Sequence, residues 1–584
     1  MAFDVIIKGG QVIDGTGKPR AKVDVALTGD RIAAIGDLAD AGAAAARTID
    51  ATGFVVTPGF IDMHSHSDQT ILQYPGGESS IGQGITTSVG GQCGSSLGPL
   101  GKHINVSLWG ANWKDKVAPA KYYAENTIDL EVARRAAKEY DGFDIDWTTF
   151  GGWLDRVAAS KPGINLVPLV GHGAVRTSVM GKDYKRHAKP DEVAAMKRYV
   201  AQAMDEGAAG ISNGMDYPPG VFASPEESVE VIGEAVRHGG FYSTHWRRTG
   251  LRQGAGNPGL IDGLREGIEI GRRTGARTEV AHLSAGYLIS PRPTPKIAQA
   301  AAEETLAVVE EAIKGGVDLT FDCIPNHLTG GTTHQRWLAA TLAPWFKEAG
   351  SFEQLARNLK AADARREIKD YIYAGKWYPL NPLTTPNWTA ALTVFQSTVM
   401  PELSGKSIAE ITAARGGDPL DVLMDVLVTD PRAAGGMRRP FALDVNLRVF
   451  YNHPRAMVGC DTLLVDDTFG PDVPPYQLPN HNTFGGMARF IRLYALGLLG
   501  LEEGIRRLTS LPAERLNLPD RGVIAPGRKA DLVVFRPEEV QDNEDELETR
   551  RYPKGYRWVF VNGVAAMEAG QLTHSRSGEV LRRK

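Results

Sequence analysis

The sequence predicts an α/β protein, a (β/α)₈ TIM-like barrel with a small β-sandwich formed by the N- and C-terminal segments. Eight short apolar runs end in polar or glycine-rich loops and alternate with helix-like segments, which is typical of a parallel sheet. Eight strands are the number that closes such a barrel, whose active site lies at the carboxyl ends of the strands. Short β-rich runs separated by turns occupy both ends of the chain.

The terminal segments come first. Residues 1–57 contain the runs Val5–Lys8, Gln11–Ile13, Val23–Leu27 and Arg31–Ile35. Similar short β-rich runs occur near the C-terminus, at Gly522–Phe535 and Val559–Gly563. A segment this short is small for an independent domain, so we expect residues 1–57 and 506–584 to pair into one β-sandwich beside a central domain, residues 58–505.

The eight apolar runs fill the central domain with uneven spacing. They are Phe54–His64, Ile85–Gly90, Asn165–Gly171, Gly207–Ser212, Phe241–His245, Thr278–His282, Val317–Asp322 and Met457–Asp461. A long insertion follows the second run, at about 95–164, and a longer one follows the seventh, at about 324–456. We expect both at the barrel mouth, where functional loops collect.

Composition excludes several classes of protein. The 584 residues are 42% hydrophobic and 23% charged, which is typical of a soluble globular chain and excludes disorder and fibres. Lysine and arginine number 65 against 69 acidic residues, a net charge of −4 without long runs of one sign; we therefore expect no nucleic-acid partner. No apolar stretch approaches the roughly 20 residues of a membrane span. We expect a cytoplasmic homo-oligomer with a small-molecule substrate and no membrane partner.

Residues that ligate metals follow several of the runs. His64 and His66 alternate after the first run, so both imidazoles face the same way and can reach one ion at about 2.0 to 2.1 Å. With them, the ends of four further runs supply the candidate set: His64, His66, Cys93, His245, His282 and Asp461. A barrel gathers such positions around one point, and this mixture of imidazole, thiol and carboxylate suits zinc.

Each position also has a structural interpretation. Cys93 could be a buried apolar residue, His245 and His282 could be core histidines with satisfied hydrogen bonds, and Asp461 could cap a following helix. His172, after the third run, is expected either to support the metal ligands from behind or to face the substrate, rather than to bind the metal itself.

We expect packing roles for the other two cysteines and for most tryptophans of the insertions. Cys323 and Cys460 are expected to be packing residues, because each adjoins a polar residue better placed to face the mouth. The insertions are rich in tryptophan, and we expect most of these rings to form local core rather than to line the substrate.

The chain resembles a known family over nearly its whole length: the amidohydrolase superfamily, in its N-acyl-D-amino-acid deacylase (D-aminoacylase) branch. The motifs that carry the resemblance are Pro58–Asp68, Gly91–Ser96, Val170–Gly173 with Arg176, Gly210–Gly220, Thr244–Arg247, Val458–Asp461 and Asp520–Phe535. The first and last of these indicate the superfamily. The cysteine motif and the Tyr217-Pro-Pro-Gly motif indicate the branch.

The resemblance implies roles for the candidate ligands. In this branch a cysteine from the second strand replaces the carboxylated lysine that bridges the metals of many relatives, and Cys93 matches it. Cys93, His245 and His282 would then form a tight zinc site. A weaker neighbouring position would lie among His64, His66 and Asp461.

The departures from the family concern the substrate. Ser284 stands where the family has a lysine, Asn326 where it has a tyrosine, and Pro479–Phe484 lacks the family's arginine. These three residues of the family would bind a free carboxylate, so we expect a bulky or neutral N-acyl substrate here. Arg247 is followed by Arg248 rather than by the family's acidic partner. The candidate substrate-binding residues are His172, Tyr217, Arg247, Ser284 and Asn326.

The predicted function is metal-dependent hydrolysis of a C–N acyl bond, most simply that of a linear amide. Asp461 is the expected general base and then general acid, and Tyr217 and His172 are expected to assist the developing oxyanion. A cyclic amidase or a lactone or ester hydrolase is the alternative within enzymes, because the same attack reaches those carbonyls. A metal-free scaffold is the alternative from another class, and a metal assay separates the two.

Overall fold

Eight parallel strands form the central sheet in the order in which the chain visits them. They are Phe60–Asp62, Ile85–Gly90, Asn165–Gly171, Gly210–Gly214, Phe241–His245, Arg277–Val280, Leu319–Cys323 and Ala456–Val458. The amide of Met63 donates to the carbonyl of Val458 at 3.1 Å, which joins the first strand to the eighth. The predicted (β/α)₈ barrel is confirmed.

This structure is a computed structural model. It describes residues 3–38, 43–110, 113–117, 127–247, 260–285, 294–326, 333–376, 378, 383, 388–438, 444–470 and 476–583.

The predicted first run, Phe54–His64, is two strands rather than one. Val55–Pro58 pairs with a C-terminal strand outside the barrel, and Phe60–Asp62 belongs to the barrel. Gly59 lies at the break, where a Cβ atom would sit 2.2 Å from Oγ1 of Thr86. No side chain fits at that distance, so the chain crosses between the two sheets at a glycine.

Two further sheets form the terminal sandwich. The four-stranded sheet has the order Arg31–Gly36, Asp24–Thr28, Phe3–Lys8, Ala45–Asp50. The seven-stranded sheet has the order Gln571–Leu572, Val564–Glu568, Tyr556–Val561, Leu532–Phe535, Val55–Pro58, Gln11–Val12, Ala21–Lys22. Apolar side chains of both sheets share one core, among them Ile7, Val25, Leu27, Val56, Leu532 and Val534. The two ends of the chain therefore meet as the sequence predicts, while the domain boundaries at 57/58 and 505/506 stay a prediction.

Helices surround the barrel. Those that follow its third to eighth strands are His172–Met180, Pro190–Asp205, Pro225–Arg237, Leu260–Thr274, Pro295–Lys314, Asp444–Tyr451, His481–Phe490, Leu501–Leu508 and Ser510–Arg515. Ser224 and Thr294 cap two of them with side-chain hydrogen bonds, each directly before a proline, which is a strong local signal for a helix start. Among the described helices, none is both long enough and apolar enough to cross a membrane.

The two insertions have their own secondary structure. The first contains the paired strands His103–Asn105 and Thr127–Asp129 and the helices Lys114–Val117, Leu130–Ala136 and Phe150–Ala159. The second contains the strands Thr333–Gln335, Leu392–Gln396 and Ala434–Met437 and the helices Ala343–Ala349, Phe352–Asn358, Ala362–Tyr373, Trp388–Ala391, Ile408–Arg415 and Pro419–Thr429.

The tryptophans of the insertions are mostly core residues, as expected. Six of them are buried: Trp109, Trp113, Trp147, Trp153, Trp345 and Trp388. Trp337 is half-buried, and Trp377 lies outside the described residues.

Candidate metal centre

The six predicted ligands come together at the carboxyl ends of the barrel strands. They form two groups that share the thiol of Cys93: His64, His66, Cys93 and Asp461 in one, Cys93, His245 and His282 in the other. Within each group the potential ligand atoms all lie within 4.8 Å of one another, and every residue is buried. Residues from five strands therefore converge on one buried point.

Cys93, His245 and His282 have the spacing of ligands around one small ion. Sγ of Cys93 lies 3.3 Å from Nδ1 of His245 and 3.5 Å from Nε2 of His282. The two imidazole nitrogens lie 3.0 Å apart. Ligands about 2.0 to 2.3 Å from a tetrahedral zinc ion stand roughly 3.3 to 3.6 Å from one another. The two sulfur–nitrogen distances fall in this range and the nitrogen–nitrogen distance is slightly shorter, and the thiol and imidazole donors are those that zinc prefers.

The second group adds a carboxylate and two imidazoles around the same thiol. Nε2 of His64 lies 3.2 Å from Sγ of Cys93 and 3.6 Å from Oδ1 of Asp461. Nε2 of His66 lies 3.2 Å from the same carboxylate oxygen. Asp461 does not cap a helix, because no helix follows it within the described residues 461–470; the capping interpretation is wrong.

Three of these residues have left-handed backbone. The φ angles are 57° at Cys93, 39° at His282 and 52° at Asp461. Such angles are unfavourable for residues other than glycine and concentrate where a functional constraint holds the chain. The strand ends thus turn sharply to aim these side chains at the cluster.

Each of three imidazoles has a polar group behind it. Nδ1 of His64 lies 3.6 Å from Oδ2 of Asp322, and Nδ1 of His66 lies 3.1 Å from the amide nitrogen of Gln69. Nε2 of His245 lies 3.6 Å from Oδ2 of Asp216. Groups of this kind orient the rings of metal-binding histidines and select their tautomers.

Two buried aspartates also hold the backbone of the ligands. Oδ1 of Asp62 accepts from the amides of His64 at 3.2 Å and Cys460 at 2.9 Å. Oδ1 of Asp322 accepts from the amide of His282 at 3.0 Å. Burial raises the pKa of Asp62 to about 7, against the hydrogen bonds that lower it.

Sequence reasoning missed these supporting residues. Asp62 and Asp216 lie inside motifs that the sequence displays, and Asp322 ends the seventh apolar run. Their position at strand ends was the available signal. The pairing with particular histidines was not visible, because those contacts join different strands.

The electrostatics of the cluster favour positive charge among the ligands. Burial alone would raise the pKa of the Cys93 thiol, but the charges of His64 and His245 lower it well below its ordinary value. Burial would lower the pKa of His66, but its hydrogen bonds to Asp461 and Cys93 raise it to about 10. Burial would raise the pKa of Asp461, yet the His66 hydrogen bond and the His64 charge hold it well below the usual range. A divalent cation supplies that positive charge in place of the protons.

The predicted substrate-binding residues have different positions. Tyr217 is half-buried, donates from its hydroxyl to the carbonyl of Cys93 at 2.7 Å, and places its ring 4.8 Å from that of His245. His172 is buried and lies 3.1 Å from Oε1 of Glu227, outside both ligand groups.

Asn326 is buried, and its backbone is bound to the side chain of Asn482. Its backbone amide donates to Oδ1 of Asn482 at 2.9 Å, and Nδ2 of Asn482 donates to its backbone carbonyl at 2.9 Å. Ser284 is half-buried, two residues after His282.

Arg247 has an acidic partner after all. Its Nε donates to Oε2 of Glu266 at 2.6 Å, and its other nitrogens donate to backbone carbonyls. A helix residue 19 positions along the chain thus supplies the carboxylate that does not follow Arg247 directly in sequence. These contacts favour a structural role over substrate binding.

Cys323 and Cys460 are fully buried, and burial raises the pKa of both thiols well above the ordinary value. Both therefore stay neutral and pack, as expected, and neither belongs to the two ligand groups.

A parallel barrel with imidazole, thiol and carboxylate donors gathered at its strand ends defines a class, the metal-dependent barrel enzymes. Comparison with known proteins gives the family. The model of the Amidohydrolase family matches residues 47–324 and 460–566, so the unmatched stretch between them coincides with the second insertion. The chain belongs to the Amidohydrolase family, in its D-aminoacylase branch.

Two relatives match along their whole length. D-aminoacylase of Alcaligenes xylosoxydans xylosoxydans is 30% identical over 588 residues, which cover 100% of this chain and 98% of the relative. N-acyl-D-glutamate deacylase of the same organism is 31% identical over 584 residues, which cover 100% and 97%. A solved structure, N-acyl-D-glutamate deacylase from Bordetella bronchiseptica with zinc and a phosphonate inhibitor, has a TM-score of 0.69 at 27% identity and covers all of both chains.

Proposed function

We propose that this protein is a zinc-dependent amidohydrolase that cleaves the C–N bond of a linear N-acyl compound. The observation that carries the proposal is the buried convergence of Cys93, His245 and His282, with a second group of donors around the same thiol. Full-length similarity to two deacylases supports a linear amide over a cyclic amide, lactone or ester. The intact ligand set is the argument against a non-catalytic scaffold.

The thiol and imidazole donors favour zinc over calcium or magnesium, which prefer oxygen. Cys93, His245 and His282 would hold the tight site, and His64, His66 and Asp461 a weaker neighbouring one. When bound, zinc lowers the pKa of a water molecule towards 7 and polarises a substrate carbonyl.

The proton transfers fall to Asp461. Its carboxylate is ionised at neutral pH, because the surrounding imidazoles hold its pKa low. Oδ1 would accept the proton of the attacking water and return it to the leaving nitrogen, acting first as general base and then as general acid.

Tyr217 would act on the substrate's carbonyl oxygen. Its hydroxyl now donates to the carbonyl of Cys93, beside the ring of His245. A phenol held at this edge of the cluster is placed to donate instead to an oxygen that develops negative charge, which stabilises the transition state.

The substrate is expected to lack a free carboxylate near the reacting bond. Ser284 and Asn326 carry no charge, so neither can balance a carboxylate. Arg247 is held by Glu266 and by backbone carbonyls, and Arg455 donates to the carbonyl of Leu319, the residue that begins its strand at the barrel's amino end. A carboxylate buried without a cation costs several kcal/mol.

Two measurements on the purified protein test the proposal. Elemental analysis is expected to find zinc, and a screen of linear amides, cyclic amides, lactones and esters is expected to give hydrolysis of linear N-acyl compounds. A protein without metal would support the scaffold alternative. Turnover confined to cyclic amides or to lactones would support the other enzymes.

A further inference from the structure

Two buried arginines donate hydrogen bonds to one loop beside the metal centre. The loop, Met215–Ala223, follows the fourth barrel strand and carries Asp216 and Tyr217. We propose that Arg176 and Arg247 are positioning residues, which hold this loop so that Asp216 fixes the ring of His245 for zinc. The proposal rests on the zinc site of the proposed function.

Arg247 donates hydrogen bonds to carbonyl groups near both ends of the loop. Its Nη1 donates to the carbonyls of Met215 at 3.0 Å and Val221 at 3.1 Å, and its Nη2 donates to that of Ala223 at 3.2 Å. Its Nε is held by Glu266. Because Arg247 stands two residues after His245, the loop is tied to the same strand end that supplies a ligand.

Arg176 contacts the loop at two further residues, Pro219 and Phe222, and the same guanidinium group also donates to the carbonyls of Tyr184 and Arg186, outside the loop. Its Nη1 donates to the carbonyl of Pro219 and its Nη2 to that of Phe222, both at 3.3 Å. Its Nε donates to Oε1 of Glu227 at 2.8 Å, and the same oxygen lies 3.1 Å from Nε2 of His172. The side chain is completely buried.

The arginine is suited to this task because its rigid fork of five donors reaches several carbonyls at once. Each of the two guanidinium groups is paired with a buried or nearly buried glutamate, so neither leaves an unbalanced charge in the interior. Loss of either would leave loop carbonyls without their donors, and the loop would shift or loosen.

The loop lies too close to the cluster to move without consequence. A Cβ atom on Gly214 would lie 2.2 Å from the carbonyl oxygen of Cys93, and one on Gly220 would lie 2.1 Å from that of Gly214. Tyr217 donates to the same Cys93 carbonyl. Gly214, the strand residue directly before the loop, is thus in backbone contact with the residue that both ligand groups share, and the loop reaches that residue through Tyr217.

Asp216 connects the loop to the ligand His245. Its Oδ2 lies 3.6 Å from Nε2 of His245, whose other nitrogen, Nδ1, faces Cys93 and His282. A carboxylate behind Nε2 favours the proton there and leaves the Nδ1 lone pair for a metal.

Arg507 provides a matched control at the other end of the barrel. It too is buried, its Nε is held by a glutamate, Glu503, and its Nη1 donates to the carbonyls of His453 and Ala456. Ala456 begins the eighth strand, so this clamp lies at the end opposite the ligands.

The experiment compares zinc affinity, by chelator competition, with the thermal stability of the zinc-free protein. R247M, R176M and R507M are all expected to lower the melting temperature. Only R247M and R176M are expected to weaken zinc, by about 10-fold or more, the effect of losing support for a ligand. R247K, which restores one donor group, is expected to recover part of the affinity. D216N is expected to weaken zinc about 10- to 100-fold without that loss of stability.

Two further readouts keep the outcomes distinct. Hydrogen exchange of residues 215–223 in zinc-free protein is expected to rise in R247M and not in R507M. The thiolate absorption of the cobalt-loaded protein is expected to change in R247M, R176M and D216N and to stay the same in R507M. Equal loss of zinc in R247M and R507M, or unchanged affinity in D216N, would overturn this proposal while leaving the zinc enzyme intact. Absence of zinc from the unmodified protein would instead overturn the proposed function.

Discussion

Two buried polar clusters lie at opposite ends of the barrel, and they differ in how their groups are satisfied. The metal centre lies at the carboxyl ends. The second cluster, which we call the Asp531 network, joins the amino end of the third strand to the terminal sandwich; its members are Asn165, Arg521, Asp531 and Asn562.

In the Asp531 network each donor meets an acceptor. Oδ1 of Asp531 accepts from the amide of Asn562 at 2.7 Å, and Oδ2 accepts from Arg521 and from Nδ2 of Asn165 at 3.2 Å. The side-chain amide of Asn562 donates to Oδ1 of Asn165 at 2.8 Å and accepts from Arg521 at 2.9 Å. The charges and hydrogen bonds balance without any added group.

The metal centre has no such balance by itself. Two imidazole nitrogens and a thiol face one another at 3.0 to 3.5 Å, so atoms that would all be electron donors to an ion are crowded together. Three of the ligand residues also have left-handed backbone. The comparison teaches that a buried polar cluster complete in itself ties elements together, whereas one crowded with lone pairs is built for an ion.

The largest expected effect is that of removing a metal ligand. We expect Cys93→Ala to lose most of the zinc and to lower kcat/KM by about 10³-fold or more, because metal catalysis supplies several kcal/mol of transition-state stabilisation. Elemental analysis and initial rates measure both. His245→Ala is expected to behave alike, and full metal retention in both variants would disprove these ligands.

The carboxylate that moves protons can be separated from metal binding. We expect Asp461→Asn to keep most of the zinc through Cys93, His245 and His282, while kcat falls about 10²- to 10⁴-fold. Zinc content and kcat are measured on the same preparation. A variant that works at the rate of the unmodified protein would make Asp461 a structural residue.

A substitution in the Asp531 network should instead lower stability and leave zinc binding unchanged. We expect Asp531→Ala to lower the free energy of unfolding by about 3 to 5 kcal/mol, because it removes the buried partner of Arg521 and leaves the exposed Glu579, 3.3 Å away, to balance that buried charge. Zinc affinity should stay within about twofold, since the network lies at the far end of the third strand. Denaturant titration and chelator competition check the two parts, and a comparable loss of zinc affinity would contradict the separation of the clusters.

The smallest expected effect concerns substrate specificity at the metal centre. Matched N-acyl compounds that bear a free carboxylate, a carboxamide or neither are compared by kcat/KM. We expect the carboxylate to be slower by about 10-fold or more, because its burial without a cation costs free energy. A clear preference for the carboxylate in the D-series would restore an ordinary D-aminoacylase specificity.

Much of the fold could be predicted because it depends on local patterns. Apolar runs of strand length between helix-like segments gave all eight barrel strands, and the ends of five of these runs marked the candidate ligands. The error at Phe54–His64 came from the same rule, because an apolar run does not reveal which sheet it joins. The strand pairings on either side of Gly59 separate the terminal sheet from the barrel there, and they form only in the folded chain.

The sequence by itself determined the barrel and the identity of the six ligand candidates, since period-two strands and the shared direction of parallel strand ends are encoded within a few residues of each position. The tertiary structure alone decided which groups stand behind them. Asp322 reaches His64, and Glu266 rather than a sequence neighbour of Arg247 supplies the partner of that arginine. Such pairs join elements far apart in the chain, and their geometry exists only once the barrel has closed.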